Sequence, residues 1–191
     1  MDRGEPLRQR VLRAAGDLFY AEGITASGVD RVAAAAGISK RTLYKQFGSK
    51  DALVTACLLA RDAPIRANFT RGAEASSDDP RGQLEALFVV LTGWFDRPGF
   101  RGCPYVNAAA ELPDADSPAR QVARDHKGEL RGWVRDRARA AGLADPEGLS
   151  WQLMALFDGA IAQRLVLGRD APAEPVRAAA STLLDAAAGL S

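Results

Sequence analysis

AGISKRTLYKQFGSK, residues 36–50, is the stretch that decides what kind of molecule this chain makes. Gly37 and Ile38 interrupt an alanine-rich run, and glycine suits the left-handed residue that closes a helix. Ser39 stands where an N-cap belongs, its hydroxyl able to accept from an orphan backbone N–H. From Lys40 to Phe47 the apolar residues Leu43 and Phe47 are four apart and share one helical face. The remaining surface is Lys40, Arg41, Thr42, Tyr44, Lys45 and Gln46. The pattern predicts a short helix pinned by two apolar contacts and offering donors everywhere else. Placed after a tight turn from another helix, it is the second half of a helix-turn-helix that reads DNA. Taken alone it is equally an exposed basic helix of a globular domain, so the flanks carry the decision.

Upstream, Pro6 to about Glu22 keeps Leu7, Val11, Ala14, Ala15, Leu18 and Phe19 at the three-four spacing of one buried face. Gly23 closes that helix. Thr25, Ala26 and Ser27 form a polar lead-in, and Ser27 with Asp30 resembles a capping box with a shorter acid. Gly28 to Ala36 predicts a second helix burying Val29, Val32, Ala33 and Ala36. Three helices joined by two short turns make a compact unit. Downstream, Ser49 is placed to cap a fourth helix, which Pro64 should kink or end near Ala63. Residues 72–80 are the most loop-like in the chain. Helices follow over 81–95, 103–112, 119–141, 146–167 and 172–188, the last two begun by prolines at a position helices tolerate. Strand-like alternation is absent, which predicts an all-α protein of about nine helices.

The 191 residues suffice for a sizeable core. Residues 1–50 hold nine Lys/Arg against five Asp/Glu, whereas 51–191 hold sixteen against nineteen. The net charge of +1 therefore hides a basic excess in the segment carrying the candidate reading helix, as phosphate binding requires. No apolar run reaches the roughly 18 residues of a membrane span. The start, MDRGEPLRQR, lacks an apolar signal-peptide core, and the expected location is the cytoplasm. Cys57 and Cys103 form no disulfide framework, and no metal site or cofactor loop is expected. An enzyme would need a nucleophile with a base, a carboxylate pair or a cofactor motif, and one histidine leaves little for acid–base work. A helical binding protein without DNA affinity would have lost its charge at Lys40, Arg41, Lys45 and Lys50, and all four remain.

The order of helix, Gly23, T-A-S, short helix, AGIS, KRTLYKQF and GSKDAL resembles the N-terminal domain of the TetR family, the tetracycline-repressor-like transcription regulators. The resemblance covers about residues 8–54, and GCPYVNAAAEL at 102–112 is similar to a regulator subgroup. It implies a three-helix DNA-binding domain over 1–50 and a larger helical effector-binding and dimerisation domain over 51–191. It implies that Lys40, Arg41, Thr42 and Lys45 face base edges in the major groove, with guanine the natural partner of Lys and Arg. Tyr44 and Gln46 are implied to meet phosphates, as is Lys50 in the first turn of the fourth helix. Thr25 and Ser27 do the same at the second helix, unless they only cap it, and Tyr44 is otherwise a packing aromatic. Many members carry a small residue where Arg41 stands, which leaves its target between base and phosphate. The family works as a homodimer through its last two helices. Two reading helices about 34 Å apart match successive major grooves, hence a near-palindromic operator. Gly159, Ala160, Ala162, Ala178–Ala180 and Ala186–Ala188 would allow close approach there, or serve an intrachain core. The implied role is a repressor released by a small-molecule effector.

For that effector the expected frame is Trp94, Phe95, Phe100, Cys103, Tyr105, Asn107, Glu111, His126, Trp133, Met154 and Phe157, apolar and aromatic with few polar groups. Each aromatic also reads as plain core. Asn107 and Glu111, four apart, either orient a ligand or bridge neighbouring helices. His126, near Asp114, Asp116 and Asp125, is a core or surface histidine more readily than a metal ligand. Cys103 beside Arg101 either senses oxidants or is a buried thiol. By the same resemblance, effector binding moves the fourth helix and swings the reading helices out of groove spacing, with Pro64 either setting its bend or ending it.

Overall fold

A computed structural model describes residues 5–168, 171 and 173–189. Among these residues the chain forms nine helices and no strand: α1 (Leu7–Glu22), α2 (Val29–Ala35), α3 (Lys40–Phe47), α4 (Lys50–Glu74), α5 (Pro80–Trp94), α6 (Pro104–Glu111), α7 (Pro118–Ala140), α8 (Pro146–Leu167) and α9 (Ala173–Ala187). The expected helix start at Pro172 lies outside the described residues.

Two compact units are present. The first comprises residues 1–63 and 103–126, the second 64–102 and 127–191, so α4 and α7 each contribute to both. In the first unit, Val11, Ala15 and Phe19 of α1 are buried together with Val32 and Ala33 of α2, Leu43 and Phe47 of α3, and Leu53, Val54 and Cys57 of α4. Leu7, Ala14 and Leu18, expected on the same buried face of α1, are only half-buried. α6 joins this unit through Tyr105, whose hydroxyl donates to the Leu58 carbonyl at 3.1 Å. In the second unit, Phe69, Leu84, Leu87, Phe88, Leu91, Leu130, Val134, Leu153, Phe157 and Leu184 form the core.

Three helix ends follow their local chemistry. Ser39 accepts from the Thr42 amide at 3.1 Å and Ser49 from the Ala52 amide at 3.0 Å, which starts α3 and α4. Asp79 accepts from the Gly82 amide at 2.8 Å, with Pro80 opening α5. Two expectations are corrected. Of the two outcomes expected at Pro64, a kink or an end, the end is ruled out: α4 continues to Glu74 and takes residues 72–74 out of the expected loop. Pro64 lacks the N–H for one ladder bond, but a single missing bond is outweighed where the flanking turns bury Leu58 and Phe69. Ser27 does not cap α2. The cap position is Gly28, and the Ser27 hydroxyl, fully buried, donates backward to the Gly23 carbonyl at 2.6 Å.

Candidate nucleic-acid interface

The α3 helix is anchored on one side and bare on the other. Leu43 is fully buried and Phe47 is 9% exposed, and the Arg8 guanidinium of α1 lies 4.8 Å from the Phe47 ring centroid. That cation–π contact closes the apolar side of α3 against α1. Outward, Arg41, Tyr44, Lys45 and Gln46 are exposed, with Tyr44 at 41%. At that exposure Tyr44 is not part of the core. Thr42 is half-buried, its hydroxyl 2.9 Å from the Ser39 hydroxyl at the helix start. Lys40 leans back to α2, its Nζ 3.1 Å from Asp30 Oδ2. Both partners are more than half exposed, so the pair is a weak surface tether. Lys50, half-buried, opens α4 beside the Ser49 cap. A donor-rich short helix with its apolar side locked down and its cations in solvent has the shape and charge to enter a major groove.

The α1–α2 turn departs from the sequence reading. Thr25 is exposed, but it precedes the α2 cap by three residues, and its amide donates to Glu111 Oε2 at 2.8 Å. Ser27, buried with its hydroxyl spent on Gly23, leaves the interface altogether. The cap position of α2 is Gly28, where the sequence reading began the helix, and it carries no side-chain cap bond.

With the geometry in place, comparison with known proteins settles the family. The family profile described as bacterial regulatory proteins, tetR family, matches residues 11–57. That described as the tetracyclin repressor-like C-terminal domain matches residues 80–180. The chain belongs to the TetR family. Its fold is similar to SCO4454, a TetR-family transcriptional regulator from Streptomyces coelicolor, at 33% identity and a TM-score of 0.87, covering 95% of each chain. It is similar also to the sav143 protein of Streptomyces avermitilis, assigned to the TetR-type transcriptional regulators, at 35% identity and a TM-score of 0.86 over 96% of this chain and 99% of that one. The HTH-type transcriptional regulator SrpR of Pseudomonas putida is 33% identical over 66 residues, 35% of this chain and 31% of SrpR. The chain thus aligns with about a third of the length of that curated relative. TetR-family proteins are DNA-binding transcriptional regulators with a helix-turn-helix, not enzymes. No helix among the described residues is long and apolar enough to cross a membrane.

The residues expected to frame an effector pocket separate into two sets. Cys103, Tyr105, Asn107, Glu111 and His126 belong to the first unit, and Trp94, Phe95, Phe100, Trp133, Met154 and Phe157 to the second. In the first, the Tyr105 ring stacks on His126 at 3.7 Å, and His126 Nδ1 lies 2.7 Å from Asp62 Oδ1. Nothing in the sequence pointed to Asp62, 64 residues before its partner. His126 is therefore a core histidine joining α4 and α7. Among the described residues no cluster of three or more His, Cys, Asp or Glu is placed to hold a metal. Cys103, at 5% exposure, lies at the α6 start. Asn107 and Glu111 line a narrow cleft with Phe19, Tyr20, Leu58 and Arg61, with about 30 Å³ of free space, room for one or two waters.

In the second unit the aromatic residues pack mainly on each other, edge to face. Phe69 meets Trp94 at 5.6 Å and Phe157 at 5.2 Å, and Phe100 meets Trp94 at 4.8 Å and Phe95 at 5.5 Å. Phe157 is 2% and Met154 5% exposed, both core, and the Trp133 indole donates to Glu74 at 2.9 Å. Phe95 and Phe100 also border an open hollow of about 380 Å³ with Arg97 and Arg164. Both predicted signals, aromatic recurrence and few polar groups, are properties that a core shares with a pocket.

Proposed function

We propose that this TetR-family regulator represses transcription as a homodimer on a near-palindromic operator and is released by a small-molecule effector. The observation that carries the reading is α3 itself: Leu43 and Phe47 buried, Arg41, Tyr44, Lys45 and Gln46 exposed on one short helix. In this reading Lys40, Arg41, Thr42 and Lys45 meet base edges, Tyr44, Gln46 and Lys50 meet phosphates, and Thr25 contributes its hydroxyl. Lys40 exchanges Asp30 for DNA on binding. Residues 1–50 do the reading and 51–191 the sensing and dimerisation, in the cytoplasm.

The dimer proposal is supported by the outer side of α8. Trp151, Ala155, Gly159, Ala162 and Val166 share one helical stripe and are all exposed, Trp151 at 61% and Val166 at 80%. Small residues between two large apolar ones favour close packing of a second helix. On α9, Ala178, Ala179 and Ala186 are exposed as well, whereas Ala160 and Ala180 are buried in the chain's own core. The effector is proposed to act through the helices carrying the two residue sets described above, and it moves α4 relative to the operator spacing. Selection of bound sequences from random duplex DNA tests the reading directly. Two half-sites with centres about one helical turn apart are expected, and release by one compound of a metabolite panel. Recovery of no sequence preference overturns it.

A further inference from the structure

The α6 helix ends against the turn that opens the helix-turn-helix. Glu111, the last residue of α6, accepts the Thr25 amide at Oε2, across 86 residues of sequence. The turn it grips is built to admit it. Gly23 has φ +96°, and a Cβ there would lie 3.1 Å from Glu111 Oε2 and 3.2 Å from Oε1. The same glycine ends α1, donating to the Phe19 carbonyl at 3.0 Å, and its own carbonyl takes the buried Ser27 hydroxyl. One carboxylate thus joins buried Ile24 and the Arg31–Glu22 ion pair in holding this turn, and it takes the backbone amide directly. The α6 end is fixed in its own right: Arg120 of α7 donates from Nη1 to the Ala109 carbonyl at 2.6 Å and to the Leu112 carbonyl at 3.2 Å. A chain of contacts therefore runs from α7 through the end of α6 to the turn that precedes α2, against which α3 packs.

We propose that Glu111 is a positioning residue for operator recognition: by holding the Thr25 amide it fixes the α1–α2 turn, and with it α2 and α3, in the orientation that reads DNA. The proposal rests on the DNA-binding reading above and adds the element through which the rest of the chain governs it. A hydrogen bond to a charged acceptor is stronger than a neutral one, and its loss leaves the turn free to sample other conformations before each binding event. Anything that shifts α6 or competes for Glu111 would weaken operator binding without touching α3.

The test uses the full chain and the duplex that the wild-type protein selects from random DNA, with an unselected duplex of equal length as control. In Glu111→Ala, hydrogen exchange at the Thr25 amide should accelerate at least tenfold, and the Kd for the selected duplex should rise about three- to tenfold. Binding to the control duplex should be unchanged. Glu111→Gln keeps an acceptor oxygen and should restore operator affinity to within about twofold of wild type. A role through charge alone predicts the opposite: both substitutions remove a negative charge and tighten all DNA alike. Should Glu111→Ala lose its helical signal, Glu111→Asp takes its place. It keeps the charge but withdraws the carboxylate by one methylene, and the same exchange and affinity changes are expected. Unchanged Thr25 exchange, unchanged operator affinity, or equal changes on both duplexes would overturn the proposal. A wild-type protein that selects no duplex at all would instead remove the DNA-binding reading on which it stands.

Discussion

Cys57 lies buried in α4 with its Sγ 3.6 Å from the Leu12 carbonyl, and desolvation pushes its thiol from about 9 up to about 12. Arg61 and Arg8 pull the other way without prevailing. The folded protein thus keeps its proton at pH values where the unfolded chain releases it, so stability falls as pH rises from about 9 towards 12. The expected slope is about 1.4 kcal/mol per pH unit at most. Denaturant midpoints between pH 8.5 and 10.5 for wild type and Cys57→Ala isolate this share, and parallel curves would refute it. At neutral pH the same burial leaves Cys57 slow to alkylate until the chain unfolds. Gly23 makes a second single-residue prediction. Alanine at φ +96° and ψ 155° occupies a region open essentially to glycine, and should cost about 1–3 kcal/mol, read from chemical denaturation. Adding Glu111→Ala relieves only the steric share, so most of that loss should remain in the double variant.

Among the elements, α3 and α4 are opposites. α3 is eight residues long and owes its placement to Leu43 and Phe47. α4 runs for 25 residues through a proline. Replacing exposed Pro64 with Ala restores a backbone donor and should raise stability by about 1–3 kcal/mol in thermal or denaturant unfolding. No gain would mean that the helix is distorted there in a way the alanine cannot recover. On α3, Arg41→Ala should relax base preference in a selection from random DNA. On α4, Lys50→Ala should weaken every duplex alike and reduce the salt dependence of binding by about one phosphate contact. If the two substitutions gave the same pattern, the division between base-facing and phosphate-facing residues would be wrong.

At the scale of the whole molecule, the exposed stripe on α8 is the feature a monomer has least use for. Gly159→Arg places a long cation in its centre, where no described residue beyond its neighbours and its own helix backbone lies within 4 Å of an added Cβ, so the fold should survive. Sedimentation should then report a monomer, with far-UV helicity retained and operator affinity reduced at least tenfold, because each copy would bind one half-site alone. An unchanged dimer would move the interface elsewhere.

Local chemistry made much of this protein legible in its sequence. Apolar spacing, the Ser39 and Ser49 caps and the proline opening α8 are short-range signals, so the helices and the outward face of α3 could be written down from residues 36–50 and their neighbours. The turn before α2 was misread because Ser27 and Thr25 look like caps, whereas tertiary packing buries the first and gives the second's amide to α6. Glu111 on Thr25, Asp62 on His126 and Arg120 on the α6 carbonyls pair groups distant in the chain or on different helices, and no periodicity encodes which groups meet. The same limit blurred core and pocket among the aromatic residues, since both want apolar surface out of water. The sequence alone set the helices and the charge of the reading surface. Only the folded arrangement decided what holds that surface in place, because a hydrogen bond between distant residues depends on where packing brings them.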